Sequence, residues 1–249
     1  MSLIIYALIQ NGQKNSSIKK CIDTFSEEIE INLKIINYKE LSAVFSVEVQ
    51  KVEKADKADF IKYAEIIDKI SKTCTLLPMR YGSLVTSYDD LYALLDKNYS
   101  AFLESIHKIN GKEEYSVKVL FSSKNQDNII NNNLGDVSLK VPNILMGTSD
   151  SKQYLLEKYK KHTIEERRNK YIEKLKLSFL DEVRKLTECV EFNKTLTSAF
   201  IIDAVVLIEK YKKEKLLEGI DNLRKMYPEN NIIITGPWPP YNFVNINIQ

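Results

Sequence analysis

The residues that could do chemistry are few and scattered. His107 and His162 are the two histidines, they fall on different predicted elements, and neither has a second His or Cys at metal-ligand spacing. Cys21, Cys74 and Cys189 form no Cys-x-x-Cys pair. An odd, scattered set of this kind reads as reduced thiols of a cytoplasmic protein, serving as small apolar side chains rather than nucleophiles. Glu113-Glu114 and Glu165-Glu166 are adjacent in sequence, and neighbours on a strand or helix do not face a common point. The chain has no Gly-x-Ser-x-Gly elbow, no phosphate loop and no Gly-x-Gly-x-x-Gly turn, and its seven glycines are few for a phosphate-lined site. The expectation is a protein that is not an enzyme, with no catalytic residue, no cofactor and no metal.

Two charged features are less bland. Arg80 stands between Met79 and Tyr81 in an otherwise apolar stretch. It reads as a partly buried arginine paired with a carboxylate that ties the loop to a domain interface; a ligand or partner contact is the alternative. Lys158, Lys160, Lys161, Arg167, Arg168, Lys170, Lys174 and Lys176 form a basic run, interspersed with Glu157, Glu165, Glu166 and Glu173. Mixed sign points to a solvated helix face rather than a nucleic-acid footprint. The whole chain agrees, with 36 basic against 34 acidic residues and a net charge of +2.

The elements follow from periodicity. In 249 residues, 44% of them hydrophobic, there is room for one large domain or two modest ones. Leu3 to Ile9 is a continuous apolar run, expected as a strand buried on both faces; with no basic residues before it and no cleavage site after it, it does not read as a signal peptide. A short helix over 18–29 and a hairpin over 33–49 follow. Phe60, Ala64, Ile67 and Ile70 recur at helical spacing, as do Leu91, Leu95, Tyr99, Phe102 and Ile106 behind Asp89 and Asp90. Between those helices Pro78 forces an extended segment that turns near Gly82. From residue 113 the order is strand, long helix (about 151–187), strand pair (188–193 and 198–208), helix (216–227) and last strand (232–235). That is βαββαβ, the ferredoxin-like order, interrupted by an Asn-rich stretch near 124–147. No apolar run reaches the ~20 residues of a membrane span.

The C-terminus carries the most specific pattern. Gly236-Pro237-Trp238-Pro239-Pro240-Tyr241-Asn242-Phe243 follows the last strand. Prolines lock an extended path there, and Trp238, Tyr241 and Phe243 supply large apolar surfaces. The segment reads first as a core seal, with a Pro-x-x-Pro ligand for a partner as the alternative. It resembles the closing signature of the GvpL/GvpF gas vesicle proteins. Other segments are similar to that family's pattern in the same order: the opening strand Leu3 to Ile9, Leu77-Pro78-Met79-Arg80-Tyr81-Gly82-Ser83, and Gly111-Lys112-Glu113-Glu114-Tyr115-Ser116-Val117-Lys118. A weaker echo is Ser151-Lys152-Gln153-Tyr154-Leu155. Tyr115 stands where the family often has Trp, and the stretch 124–147 is longer than usual.

The resemblance implies an α+β protein of two domains, an N-terminal α+β domain over 1–112 and a modified ferredoxin-like domain over 113–249. It further implies an accessory or minor structural role in gas vesicle assembly, in the cytoplasm and at the vesicle. The partners implied are the small, hydrophobic major gas vesicle shell protein and other gas vesicle accessory proteins, with no nucleic acid and no membrane span. A ligand-binding, ferredoxin-like regulatory domain is the other class to weigh. Arg80, Gly236, Pro237, Trp238, Pro239, Pro240, Tyr241 and Phe243 are the candidate structural or partner residues.

Overall fold

A computed structural model of the chain describes residues 2–11, 15–29, 31–48, 57–121, 150–193 and 200–244. The Asn-rich stretch and the turn expected at 194–197 lie outside the described residues. The protein is α+β, with helices and two antiparallel-rich sheets.

The first sheet is built from β1 (Ser2–Gln10), β2 (Leu33–Tyr38), β3 (Leu41–Glu48), β4 (Leu76–Pro78) and β5 (Leu84–Val85), in the order β2-β3-β1-β4 with β5 also paired to β1. Its helices are α1 (Asn15–Ile29), α2 (Lys57–Ser71), α3 (Tyr88–Lys97) and α4 (Tyr99–Ile109). The register of β1 against β3 shifts between Ile5 and Ala7. This bulge at Tyr6 lets Tyr6, Ala7 and Ile9 share one core cluster with Ile18, Ile22 and Phe25 of α1 and Tyr63, Ile66, Ile67 and Ile70 of α2. Leu3, Ile5 and Leu8 are buried outside that cluster, and α4 packs on β1 and β4. Helices on both sides of β1 are the reason its sequence is continuously apolar rather than alternating.

Two helical expectations need correction. The helix expected through 91–106 is two helices broken at Asn98, and its cap is Ser87, whose hydroxyl accepts from the backbone N–H of Asp90. The acidic Asp89 and Asp90 sit in the first turn, where they meet the positive end of the helix. On α2 the buried face is Tyr63, Ile66, Ile67 and Ile70, whereas Phe60 is exposed.

The second sheet comprises β6 (Lys112–Phe121), β7 (Val190–Phe192), β8 (Phe200–Glu209) and β9 (Asn230–Trp238), with α5 (Asp150–Arg184) and α6 (Lys213–Met226) between them. The order β7-β8-β6-β9 is the ferredoxin-like arrangement expected from the βαββαβ pattern, with β9 joined to the sheet beside β6. Helices α5 and α6 pack on each other. The buried stripe of α5 is Tyr171, Leu175, Phe179 and Val183, while Ile172 and Leu186 of the expected stripe are only half-buried.

By compactness the chain falls into two units: Met1–Tyr115 with Leu207–Lys210 and Gly236–Gln249, and Ser116–Val206 with Tyr211–Thr235. The sequence division at 112/113 counts the C-terminal segment with the second domain. Its contacts are with the first unit, for a reason given by Glu114 below.

Candidate functional site

Strand β9 runs through Gly236 and the cis Gly236–Pro237 bond as far as Trp238, three residues beyond the expected end. Gly236 has φ +132°, and a Cβ there would meet the Glu114 carbonyl oxygen at 2.9 Å and Tyr115 at 3.0 Å. Only glycine allows β9 this close to β6. Beyond the strand, the backbone N–H of Asn242 donates to the Glu114 carboxylate at 2.9 Å and its side-chain amide donates to the other oxygen at 2.6 Å. Glu114 is buried, so its carboxylate must find such donors inside the protein. Lys108 Nζ adds a 3.4 Å bond to the Phe243 carbonyl.

These bonds divide the predicted segment into two kinds of residue. Pro239, Pro240 and Phe243 are buried; Trp238 and Tyr241 are 48% and 39% exposed. The part of the segment held in the core is therefore the proline pair and Phe243, and the tryptophan lies at the surface beside a cleft of about 220 Å³. Four of the five charged side chains around that cleft are paired, Lys72 lying 2.5 Å from Asp68 and Lys210 4.0 Å from Glu113, with Lys112 the fifth.

Arg80 differs from expectation. Its side chain is exposed, and among the described residues it forms no ion pair. What the loop uses is its backbone: Ser83 donates through N–H (3.0 Å) and hydroxyl (2.7 Å) to the Arg80 carbonyl, and Gly82 takes φ +82° to close the turn. The apolar anchor is Met79, whose N–H bonds the Tyr6 carbonyl at 2.9 Å and whose carbonyl accepts from the Tyr63 hydroxyl. Burial pushes that phenol upward in pKa. Tyr6, Tyr63, Tyr81 and Phe60 form a ring-to-ring chain with centroids 5.3–5.6 Å apart, ending at exposed Phe60.

The first unit carries a groove of about 410 Å³ between α1 and β2. Its floor is Ile9, Ile18, Ile22, Leu33 and Ile35, and its rim is polar, with Lys19, Asp23, Lys34 and Asn37. Strand β2 ends the sheet order, so its outer edge pairs with no strand among the described residues. An apolar floor beside an open strand edge can take up an apolar segment by side-chain burial and main-chain hydrogen bonding together. The His107 ring lies 3.4 Å from the Gln10 side-chain amide, and the three cysteines are free and half-buried rather than buried. Among the described residues no group of His, Cys, Asp and Glu could hold a metal, and no helix is long and apolar enough to cross a membrane.

Comparison with known proteins decides the family. Residues 2–245 match the family model of the gas vesicle synthesis proteins GvpL/GvpF. The chain belongs to that family. It is 25% identical to gas vesicle protein F1 of Halobacterium salinarum over 217 residues, covering 86% of this chain and 81% of the relative. To gas vesicle protein L1 of the same organism it is 24% identical over 195 residues, covering 74% and 69%. Its fold is similar to the crystal structure of gas vesicle protein GvpF from Anabaena sp. PCC7120, with TM-score 0.75 and 17% identity over 99% of both chains. GvpF from Microcystis aeruginosa gives 0.71 and 14%, over 98% of this chain and 99% of the other.

For a GvpL/GvpF chain, whose role is thus related to gas vesicles, two features escaped the sequence reading. Glu114 looked like half of an idle acidic pair, and its only signal was an acidic residue beside the aromatic that opens an otherwise apolar strand. The groove escaped because it depends on β2 lying at the edge, which is a property of strand order and not of local pattern.

Proposed function

We propose that this GvpL/GvpF chain acts in gas vesicle assembly as a non-enzymatic accessory, in the cytoplasm and at the growing vesicle, by binding the small hydrophobic major shell protein. The groove between α1 and β2 carries the reading. A shell that excludes water needs apolar subunits, and such subunits aggregate before assembly unless their apolar surface is covered. The groove offers Ile9, Ile18, Ile22, Leu33 and Ile35 for that surface and, for backbone pairing, an edge of β2 that pairs with no strand among the described residues. The polar rim keeps the empty groove compatible with water. A ligand-binding regulatory role has less support, since four of the five charged side chains at the Trp238 cleft are already paired.

The test is a pull-down of the co-expressed shell protein with the wild-type chain, Ile35→Asp and Ile35→Leu, each checked for unchanged thermal unfolding. Ile35 is half-buried and packs against the core cluster, so the unfolding check separates loss of the groove from loss of the fold. Capture is expected with wild type and Ile35→Leu, lost with Ile35→Asp, and retained in ~1 M salt, where the Debye length is ~3 Å and exposed charge pairs are screened. Full capture by a folded Ile35→Asp chain would remove the groove from the mechanism, and so would capture that disappears at moderate salt.

A further inference from the structure

Helix α5 changes character at its midpoint. From Tyr171 onward it contributes Tyr171, Leu175, Phe179 and Val183 to the core. From Ser151 to Lys170, about 30 Å of helix at ~1.5 Å per residue, no side chain is buried. The charge changes at the same point. Residues 171–184 carry Lys174, Lys176 and Arg184 against Glu173, Asp181 and Glu182, a net of zero. Residues 151–170 carry seven Lys and Arg against three Glu, a net of +4, which leaves −2 for the rest of a chain whose total is +2.

The exposed half also has a shielded line. Leu156, Tyr159, Thr163 and Arg167 are half-buried, spaced 3, 4 and 4 residues apart, and the next step of four reaches Tyr171 at the head of the buried stripe. Leu155 and Ile164 add exposed apolar surface to this half, at 49% and 37%. Local contacts in this half include Lys170 to Glu166 at 2.8 Å, the Thr163 hydroxyl to the Tyr159 carbonyl at 2.9 Å, and Lys158 over the Tyr154 ring at 5.1 Å. Such i,i+4 contacts supply only a few tenths of a kcal/mol each.

We propose that residues 151–170 of α5 are a docking arm for an acidic amphipathic helix of a partner protein. The line through Leu156 and Tyr159 takes the partner's apolar face, and the surrounding lysines and arginines take its carboxylates. Charge selects this occupant over others. A second copy would bring another +4 arm and repel. A nucleic acid would present phosphates to Glu157, Glu165 and Glu166 and offer little to the apolar line. The arm is independent of the groove between α1 and β2, and its binding is salt-dependent where the groove's is not.

Three probes against the full chain test it by fluorescence anisotropy: a 20-residue Glu/Leu amphipathic helical peptide, the same peptide with each Leu changed to Ser, and a single-stranded oligonucleotide of equal charge. The Glu/Leu peptide is expected to bind best. Its affinity should fall about tenfold or more, equivalent to ~1.4 kcal/mol, in Lys158→Glu/Lys160→Glu/Lys161→Glu. It should fall similarly in Leu156→Ser/Tyr159→Ser, with thermal unfolding of both variants unchanged. Equal binding of the Leu-free peptide, tighter binding of the oligonucleotide, or indifference to the triple charge reversal would each overturn the proposal. Shell-protein capture should be unaffected by the arm variants, so failure here and failure of the groove reading are separate results.

Discussion

The groove between α1 and β2 and the first half of α5 are built on opposite principles. Ile9, Ile18, Ile22 and Leu33 line the groove and are at the same time core residues, each no more than 5% exposed. Among the side chains of 151–170 none is buried and most are exposed. A surface carved from a core is rigid and apolar, but altering it also unsettles the fold. A surface carried on a helix beyond the core is free to vary, because little of the protein's stability depends on it. Mutation should therefore separate the two regions by the size of the stability change before any partner is added.

The largest change is expected in the groove floor. Ile22 is 1% exposed and packs with Tyr6, Ile66 and Phe25. Ile22→Ala should cost about 2–5 kcal/mol by denaturant unfolding, the range for truncating a buried aliphatic side chain. A cost under about 1 kcal/mol would mean that the groove is a loose pocket outside the core, and the comparison would collapse.

The C-terminal segment repeats the contrast over a few residues and gives the intermediate case. Phe243 is 4% exposed and Trp238 48% exposed. Phe243→Ala should cost about 3–5 kcal/mol, as buried aromatics do, whereas Trp238→Ala should cost less than about 1.5 kcal/mol because half of its surface is already in water. If the tryptophan proved the costlier residue, the segment would be a seal in the sense its composition first suggests. If Trp238→Ala left stability alone but weakened a partner, Trp238 would join the recognition surface.

Sequence pattern carried the elements further than the faces. The apolar run of β1, the alternation of β2 and β3, the extended Leu76–Pro78 and the βαββαβ order all lie in local periodicity, and local periodicity is what secondary structure obeys. The faces depend on tertiary neighbours. Phe60 fits the helical period of α2 but stands one turn from the residues that meet β1, and Tyr171, not Ile172, heads the buried stripe of α5. Arg80 looked buried because its sequence neighbours are apolar, yet the loop places Met79 inward and Arg80 outward. Trp238 was credited with burial for its size, when the prolines beside it and Phe243 take the interior. Glu114 was legible only as a residue type. Its role rests on Asn242, 128 positions away, and no local pattern links them.

The smallest global effect is expected in the arm, and it separates local from global stability. Thr163 lies in the middle of the half of α5 that has no buried side chain. Replacing it with glycine removes its hydroxyl bond to the Tyr159 carbonyl and lowers helix propensity by up to about 1 kcal/mol. Because little tertiary packing transmits that loss, the midpoint of thermal unfolding should move by less than about 2 °C, although ~1 kcal/mol lost from the cooperative core of a chain this size would move it by ~2–4 °C. The loss should appear instead as faster amide hydrogen exchange across 151–170, with the amides of 171–183 still opening only near global unfolding. A Thr163→Gly chain that melts several degrees lower, or whose exchange quickens equally in both halves of α5, would show the arm to be a cooperative part of the core. Its exposed charges would then be a solvated face rather than a binding surface.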